Sequence, residues 1–96
     1  MKVRFTTSAN RELVEAVDYY ESQQPGLGGR FLDEVDAAVD RIRQHPDTWA
    51  KVSDRVRRCL VHRFPFAVLY QHLESEVHVL AVADMRRDPR RWERLL

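Results

Sequence analysis

Pro25-Gly26-Leu27-Gly28-Gly29 separates two stretches whose apolar residues recur at the helical period, and this arrangement restricts the possible folds severely. Before it, Leu13, Ala16, Val17 and Tyr20 stand at i, i+3, i+4 and i+7, with Glu12, Glu15, Asp18 and Glu21 on the remaining face. The spacing predicts an amphipathic helix over residues 9 to about 23. After it, Phe31, Leu32, Val35, Ala38, Val39 and Ile42 form a broader stripe. They predict a second helix over residues 29–44, ended by Pro46. Proline lacks the amide hydrogen and glycine tolerates positive φ, so the chain reverses within a few residues and the helices form an antiparallel hairpin. Two apolar stripes held side by side need a common surface to cover.

The second half of the chain supplies that surface. Residues 57–63, 64–72 and 77–83 are β-prone runs separated by Pro65 and by the polar turn Leu73-Glu74-Ser75-Glu76. They are expected to pair as antiparallel neighbours. The last run is almost continuously apolar apart from His78, the pattern of a central strand buried on both faces. A short run, Val3-Arg4-Phe5-Thr6, adds an N-terminal strand that ends where Ser8 offers a helix N-cap. The expected fold is α+β: an N-terminal strand, then an antiparallel helical hairpin packed on a small curved antiparallel sheet, in the order β-α-α-β-β-β with a basic C-terminal tail. A chain of 96 residues has room for one domain, taken as residues 1–96.

Charge is polarised along the chain. Residues 1–50 hold 6 Lys+Arg against 9 Asp+Glu, whereas residues 51–96 hold 10 against 6. Arg86, Arg87, Arg90, Arg91 and Arg94 crowd the last eleven residues, together with Trp92. Arginine forks hold phosphate or carboxylate bidentately, so the tail suits a polyanion or an acidic protein, and the bland alternative is a solvated surface. Arg55, Arg57, Arg58 and Arg63 precede or lie on the first of the three later strands, and could share a positive concavity with Arg86 and Arg87. Trp49 and Trp92 read as packing anchors in preference to stacking platforms.

Other chemistries find little support. His62, His72 and His78 lie on separate strands with no ligand spacing, so no metal is expected, and no cofactor. The P-G-L-G-G-R stretch follows a helix instead of a strand and lacks the Lys-Ser/Thr ending of a phosphate loop. Cys59 is alone, which excludes an internal disulfide, fits a cytoplasmic location and reads as a small apolar strand residue. The N-terminal residues show no apolar signal core, and no apolar stretch is long enough to cross a bilayer.

Larger patterns carry a resemblance. A-x-R-E-L-x-E-A-x-x-Y-Y-E over residues 9–21, P-G-L-G-x-R-F-L-x-E-V over 25–35, I-x-x-x-P over 42–46, R-R-C-L-V-H-R-F-P-F over 57–66 and V-L-A-V-x-x-x-R-R-D-P-x-x-W over 79–92 together resemble the RelE/ParE superfamily of bacterial toxins. The resemblance implies a toxin that inhibits growth unless a small cognate antitoxin neutralises it, with operator DNA contacted only through the antitoxin. The antitoxin is expected to cover Leu13, Val17, Phe31 and Val35 of the hairpin.

Two modes occur in the superfamily. Toxins similar to RelE cut messenger RNA in the ribosomal A site, and those similar to ParE poison DNA gyrase. In the RelE-like pattern an arginine of the stretch G-Y-R-x-x-Y is aimed at the scissile phosphate. Here the matching stretch, residues 65–70, has Ala67 at that place. Relatives with the R-R-D-P ending commonly have a histidine where this chain has Asp84. Arg58, Arg63, Arg86 and Arg87 persist as candidates for catalysis. The two departures favour ParE-like inhibition of gyrase over RelE-like endoribonuclease activity; a toxin-like module that only binds its partner is a further alternative. Arg86, Arg87, Arg90, Arg91 and Trp92 are the expected target-binding residues.

Overall fold

A computed structural model describes residues 1–96. Strand β1 (Lys2–Phe5) gives way to helix α1 (Thr7–Gln23) at Thr6, whose hydroxyl accepts from the Ala9 amide at 3.0 Å. Thr6 is therefore the N-cap, two residues before the expected Ser8. It also continues the strand, since its amide donates to the Val79 carbonyl. A residue that both ends a ladder and caps a helix leaves no slack between the two.

Helix α2 (Leu27–Gln44) starts two residues earlier than its apolar stripe suggested. Gly26 takes φ +89° at its N-cap, a left-handed conformation costly for any residue with a Cβ. The Glu21 carboxylate reaches across the turn and accepts from the amides of Gly26 and Gly28, satisfying open donors at the positive end of the α2 dipole. The helices approach closely at Gly28: a Cβ there would stand 2.6 Å from the Val17 carbonyl oxygen. The neighbour is backbone, so the helices must part. Gly28→Ala is expected to destabilise the fold by about 1–3 kcal/mol, read by chemical denaturation.

Strands β2 (Arg57–Leu60), β3 (Phe66–Leu73) and β4 (Glu76–Asp84) pair antiparallel, as expected, in the order β1-β4-β3-β2. β1 lies parallel to β4, so the complete sheet is mixed. The reason is topological: the hairpin carries the chain out and back before β2, and β1 is left to join the far edge of β4. The strands β2 and β3 are shorter than their β-prone runs because residues 61–65 form the turn, where Arg63 adopts φ +69°.

The sheet has two covered faces. One packs on the hairpin through Val77, Val79, Val82, Phe66, Val68 and Tyr70, against Phe31, Val35, Ala38 and Ile42. Tyr20, Phe31, Phe64 and Phe66 form an aromatic cluster there, with ring centroids 4.8–6.1 Å apart. On the other face Ala67, Leu69, Ala81 and Ala83 lie beneath Trp92. The apolar run of β4 is thereby explained. Leu69 pairs with Ala81 and Tyr70 with Val79, so Leu80 is a bulge. One extra residue reverses the alternation: Val77 and Val79 face the helices before it, and Val82 does so after it. Cys59 is a buried free thiol in β2, and burial raises its pKa.

Candidate functional site

The tail is not an extension into solvent. Residues 89–95 form a 3₁₀ helix, Pro89–Leu95, capped by the Asp88 carboxylate, which accepts from the Arg90 amide. This helix lays Trp92 onto the alanine-floored face of the sheet, leaving the side chain only 7% exposed. Three small residues, Ala67, Ala81 and Ala83, make the space that the indole fills. Of the two readings of Trp92, packing anchor and target-binding residue, the structure bears out the first: the indole points inward onto the sheet and leaves little surface for a target. Arg91 lies over its ring, 5.9 Å from guanidinium carbon to centroid.

The arginines around this anchor separate into distinct groups. Arg86 makes a bidentate pair with Asp84, both contacts 3.0 Å, and Arg87 approaches the same carboxylate at 3.7 Å. These partners hold the Asp84 carboxyl below its ordinary range, with the Arg86 hydrogen bond the largest cause. Arg90 is paired with Asp88. All three arginines stay more than half exposed, so their outer donors remain open to a partner.

Two depressions meet at this point. One, of about 310 Å³, runs between α1 and the tail and is lined by Glu12, Glu15, Tyr19, Asp84, Arg86 and Arg91, among others. The second, of about 270 Å³, is more apolar; Arg58 and Arg87 border it beside Leu69, Met85 and Trp92. Arg87 and Trp92 belong to both.

The single positive concavity expected of the two arginine groups forms only in part, through Arg58 and Arg87. Arg57 donates to the Trp49 carbonyl at 2.8 Å and helps fix the loop after α2. In that loop the Tyr70 hydroxyl donates to the Pro46 carbonyl and the Trp49 indole donates to the Arg41 carbonyl, so Trp49 is also a packing anchor. Burial pushes the Tyr70 hydroxyl up to about 12, which keeps it a donor. Arg63 faces Glu34 of α2 at 3.6 Å and lines a separate depression with Arg30 and Phe64. Arg58 on β2 and Arg63 in the β2–β3 turn stand on different sides because that turn swings Arg63 toward the hairpin.

Of the hairpin residues expected to meet an antitoxin, Phe31 and Val35 are fully buried in the aromatic core and have no surface to offer. A stripe that covers a sheet is consumed by it. Leu13 and Val17 are half-buried, and the exposed apolar residues on α1 are Val14 and Tyr19. The histidines His72 and His78 pair with Asp47 and Glu76, and no cluster of three or more His, Cys, Asp or Glu is arranged to hold a metal ion. No helix is long and apolar enough to cross a membrane.

Sequence reading missed Glu12 and Glu21, both of which stood as ordinary surface acids of α1. Glu21 is the anion at the start of α2. Glu12 accepts from the Val82 amide through one oxygen and from the Trp92 indole through the other, at 3.0 and 3.1 Å. Its partners are 70 and 80 residues distant, and no local pattern announces them.

This architecture has known counterparts. Toxin ParE2 of Mycobacterium tuberculosis is 27% identical over 89 residues, spanning 92% of this chain and 85% of the relative. A chain of the chromosomal ParDE TA system from P. aeruginosa shares the fold with a TM-score of 0.76 at 19% identity, over 88% of this chain and 95% of that one. The family model described as the ParE toxin of the type II toxin-antitoxin system, parDE, matches residues 3–89, from β1 to the first turn of the tail helix. The hairpin on a four-stranded sheet, closed by an R-R-D-P turn, is thus the body of a type II toxin, and the chain belongs to the ParE toxin family.

Proposed function

We propose that this toxin arrests growth by binding DNA gyrase, and that the exposed arginines of the tail, Arg86, Arg87, Arg90 and Arg91, make the contact. The observation that carries this reading is the state of the two positions where RNA-cutting members of the superfamily have reactive groups. Ala67 is fully covered by the tail, and the Asp84 carboxylate is taken up by Arg86 and Arg87. Cleavage by attack of a 2′-hydroxyl needs a proton acceptor, cations on the phosphate and an acid for the leaving oxygen. A buried methyl group supplies none of these, and a carboxylate held ionised between two guanidinium groups is a poor proton acceptor and has no proton to donate. A rigid segment with outward-facing guanidinium groups suits a binding role in their place.

The antitoxin is proposed to cover α1, where Val14 and Tyr19 are exposed beside Leu13 and Val17. The RelE-like reading retains one favourable observation, since Arg58 and Arg87 border the same depression. The test sets the two targets against each other with purified components. Supercoiling by gyrase is expected to be inhibited, and the double variant Arg86→Gln, Arg87→Gln to require at least about tenfold more toxin for the same effect. Prompt cleavage of messenger RNA in the A site, abolished by Arg63→Ala or Arg86→Ala, would instead establish the nuclease reading.

A further inference from the structure

We infer that Glu12 is a positioning residue for the effector tail: its carboxylate clasps the tail helix to the edge of β4 and so sets where the tail arginines stand. The clasp occupies a gap in the sheet. β1 ends at Phe5, opposite Val79, and beyond that point β4 has no strand on its outer side. The Val82 amide would face solvent there, but Glu12 Oε1 accepts from it at 3.0 Å, taking the place of the missing strand. The other oxygen accepts from Trp92 Nε1 at 3.1 Å. One side chain of the helical layer thus crosses the open edge and holds the segment that covers the opposite face.

Other features of the molecule hold the tail less well. The Arg86–Asp84 pair ties the start of the tail to the end of β4, and the Arg90–Asp88 pair lies within the tail, so neither fixes the tail helix over the sheet face. The floor under Trp92 is Ala67, Ala81 and Ala83 with Leu69 and Val56, apolar side chains that offer contact area but no direction. The indole hydrogen bond supplies the direction. With it in place, Arg86 and Arg91 stand along the 310 Å³ depression beside Glu15 and Tyr19. A tail free to rotate about its alanine seat would have to be ordered again at each encounter with a target.

A carboxylate is required for chemical reasons. Both partners are N–H donors, and only an ionised acid presents two acceptor oxygens to them. The isosteric amide has one oxygen and one donor group, so Glu12→Gln can satisfy either the strand or the indole but sets a donor against the other. The strand amide is held by the whole ladder, and the indole is the partner that is released.

The inference rests on the tail being the effector segment, and the experiment separates the two. In the full chain, Glu12→Gln is expected to raise amide exchange of residues 90–96 roughly tenfold, to weaken growth inhibition on induction, and to leave antitoxin copurification intact. Trp92→Phe, which keeps a ring and removes the N–H, should reproduce these effects, and the double variant should be no worse than either single one. Such non-additivity distinguishes a shared bond from two independent structural losses. Unchanged exchange in Glu12→Gln, or additive effects in the double variant, overturns the clasp. Raised exchange with full toxicity also overturns the positioning role. In that event loss of toxicity in the Arg86→Gln, Arg87→Gln chain shows that the tail is still the effector, whereas full toxicity there removes the tail reading as well.

Discussion

Replacing Trp92 by alanine should remove about 3–5 kcal/mol of stability and lower the melting temperature by roughly 15 °C or more. The indole is 7% exposed and is the largest side chain on a face otherwise made of Ala67, Ala81, Ala83, Leu69 and Val56. Alanine in its place strips the cover from Ala67, Ala81 and Ala83, whose methyl groups are too short to collapse into the gap. The Glu12 carboxylate also loses a donor, adding an unpaired acceptor to the cavity. Calorimetry of the purified toxin measures the loss. A shift of only a degree or two would show that the tail is loosely laid on the sheet and that its arginines are not held in one geometry.

Installing the cation that RNA-cutting relatives have, by Ala67→Arg, should destabilise the toxin by about 3 kcal/mol and confer no cleavage of messenger RNA. Ala67 has no exposed surface, and it pairs with Ala83 across the β3–β4 ladder directly under the indole. A guanidinium there either overfills a packed layer or displaces Trp92 to reach water, and both routes cost stability. A buried arginine without a carboxylate is poorer still. Denaturant titration and a ribosome-dependent cleavage assay on the same preparation check both halves. A stable variant with new nuclease activity would mean that the tail yields its seat easily, and that the superfamily's two modes are separated by one residue.

Position 67 and position 92 are therefore one decision taken twice in the sequence. The alanines of β3 and β4 look unremarkable in a strand, and a tryptophan in a basic tail reads as a packing anchor without any sign of the surface it packs on. Each makes sense once the tail turns back over the sheet. The D-M-R-R-D-P stretch already contained the means: Asp88 caps the last helix, Pro89 starts it, and Asp84 gathers the paired arginines. The order of these residues was visible, but the direction in which the turn would send the tail was not.

The elements themselves were legible because their signals are local. Period 3.6 on either side of Pro25–Gly29 and β-prone runs divided by Pro65 and by Leu73–Glu76 lead to the hairpin on a sheet. The buried fate of Cys59 and the packing roles of Trp49 and Trp92 followed from the same reasoning. Tertiary structure alone decided the rest, since it depends on contacts between residues far apart. β1 runs parallel to β4 because of the path the hairpin imposes; Leu80 bulges and reverses the faces of β4; Phe31 and Val35 are consumed by the core they create. Glu12 illustrates the boundary best. Its acidity and its place on α1 are written in the sequence, but two donors 70 and 80 residues away make it a clasp, and only folding brings them within 3.1 Å of its carboxylate.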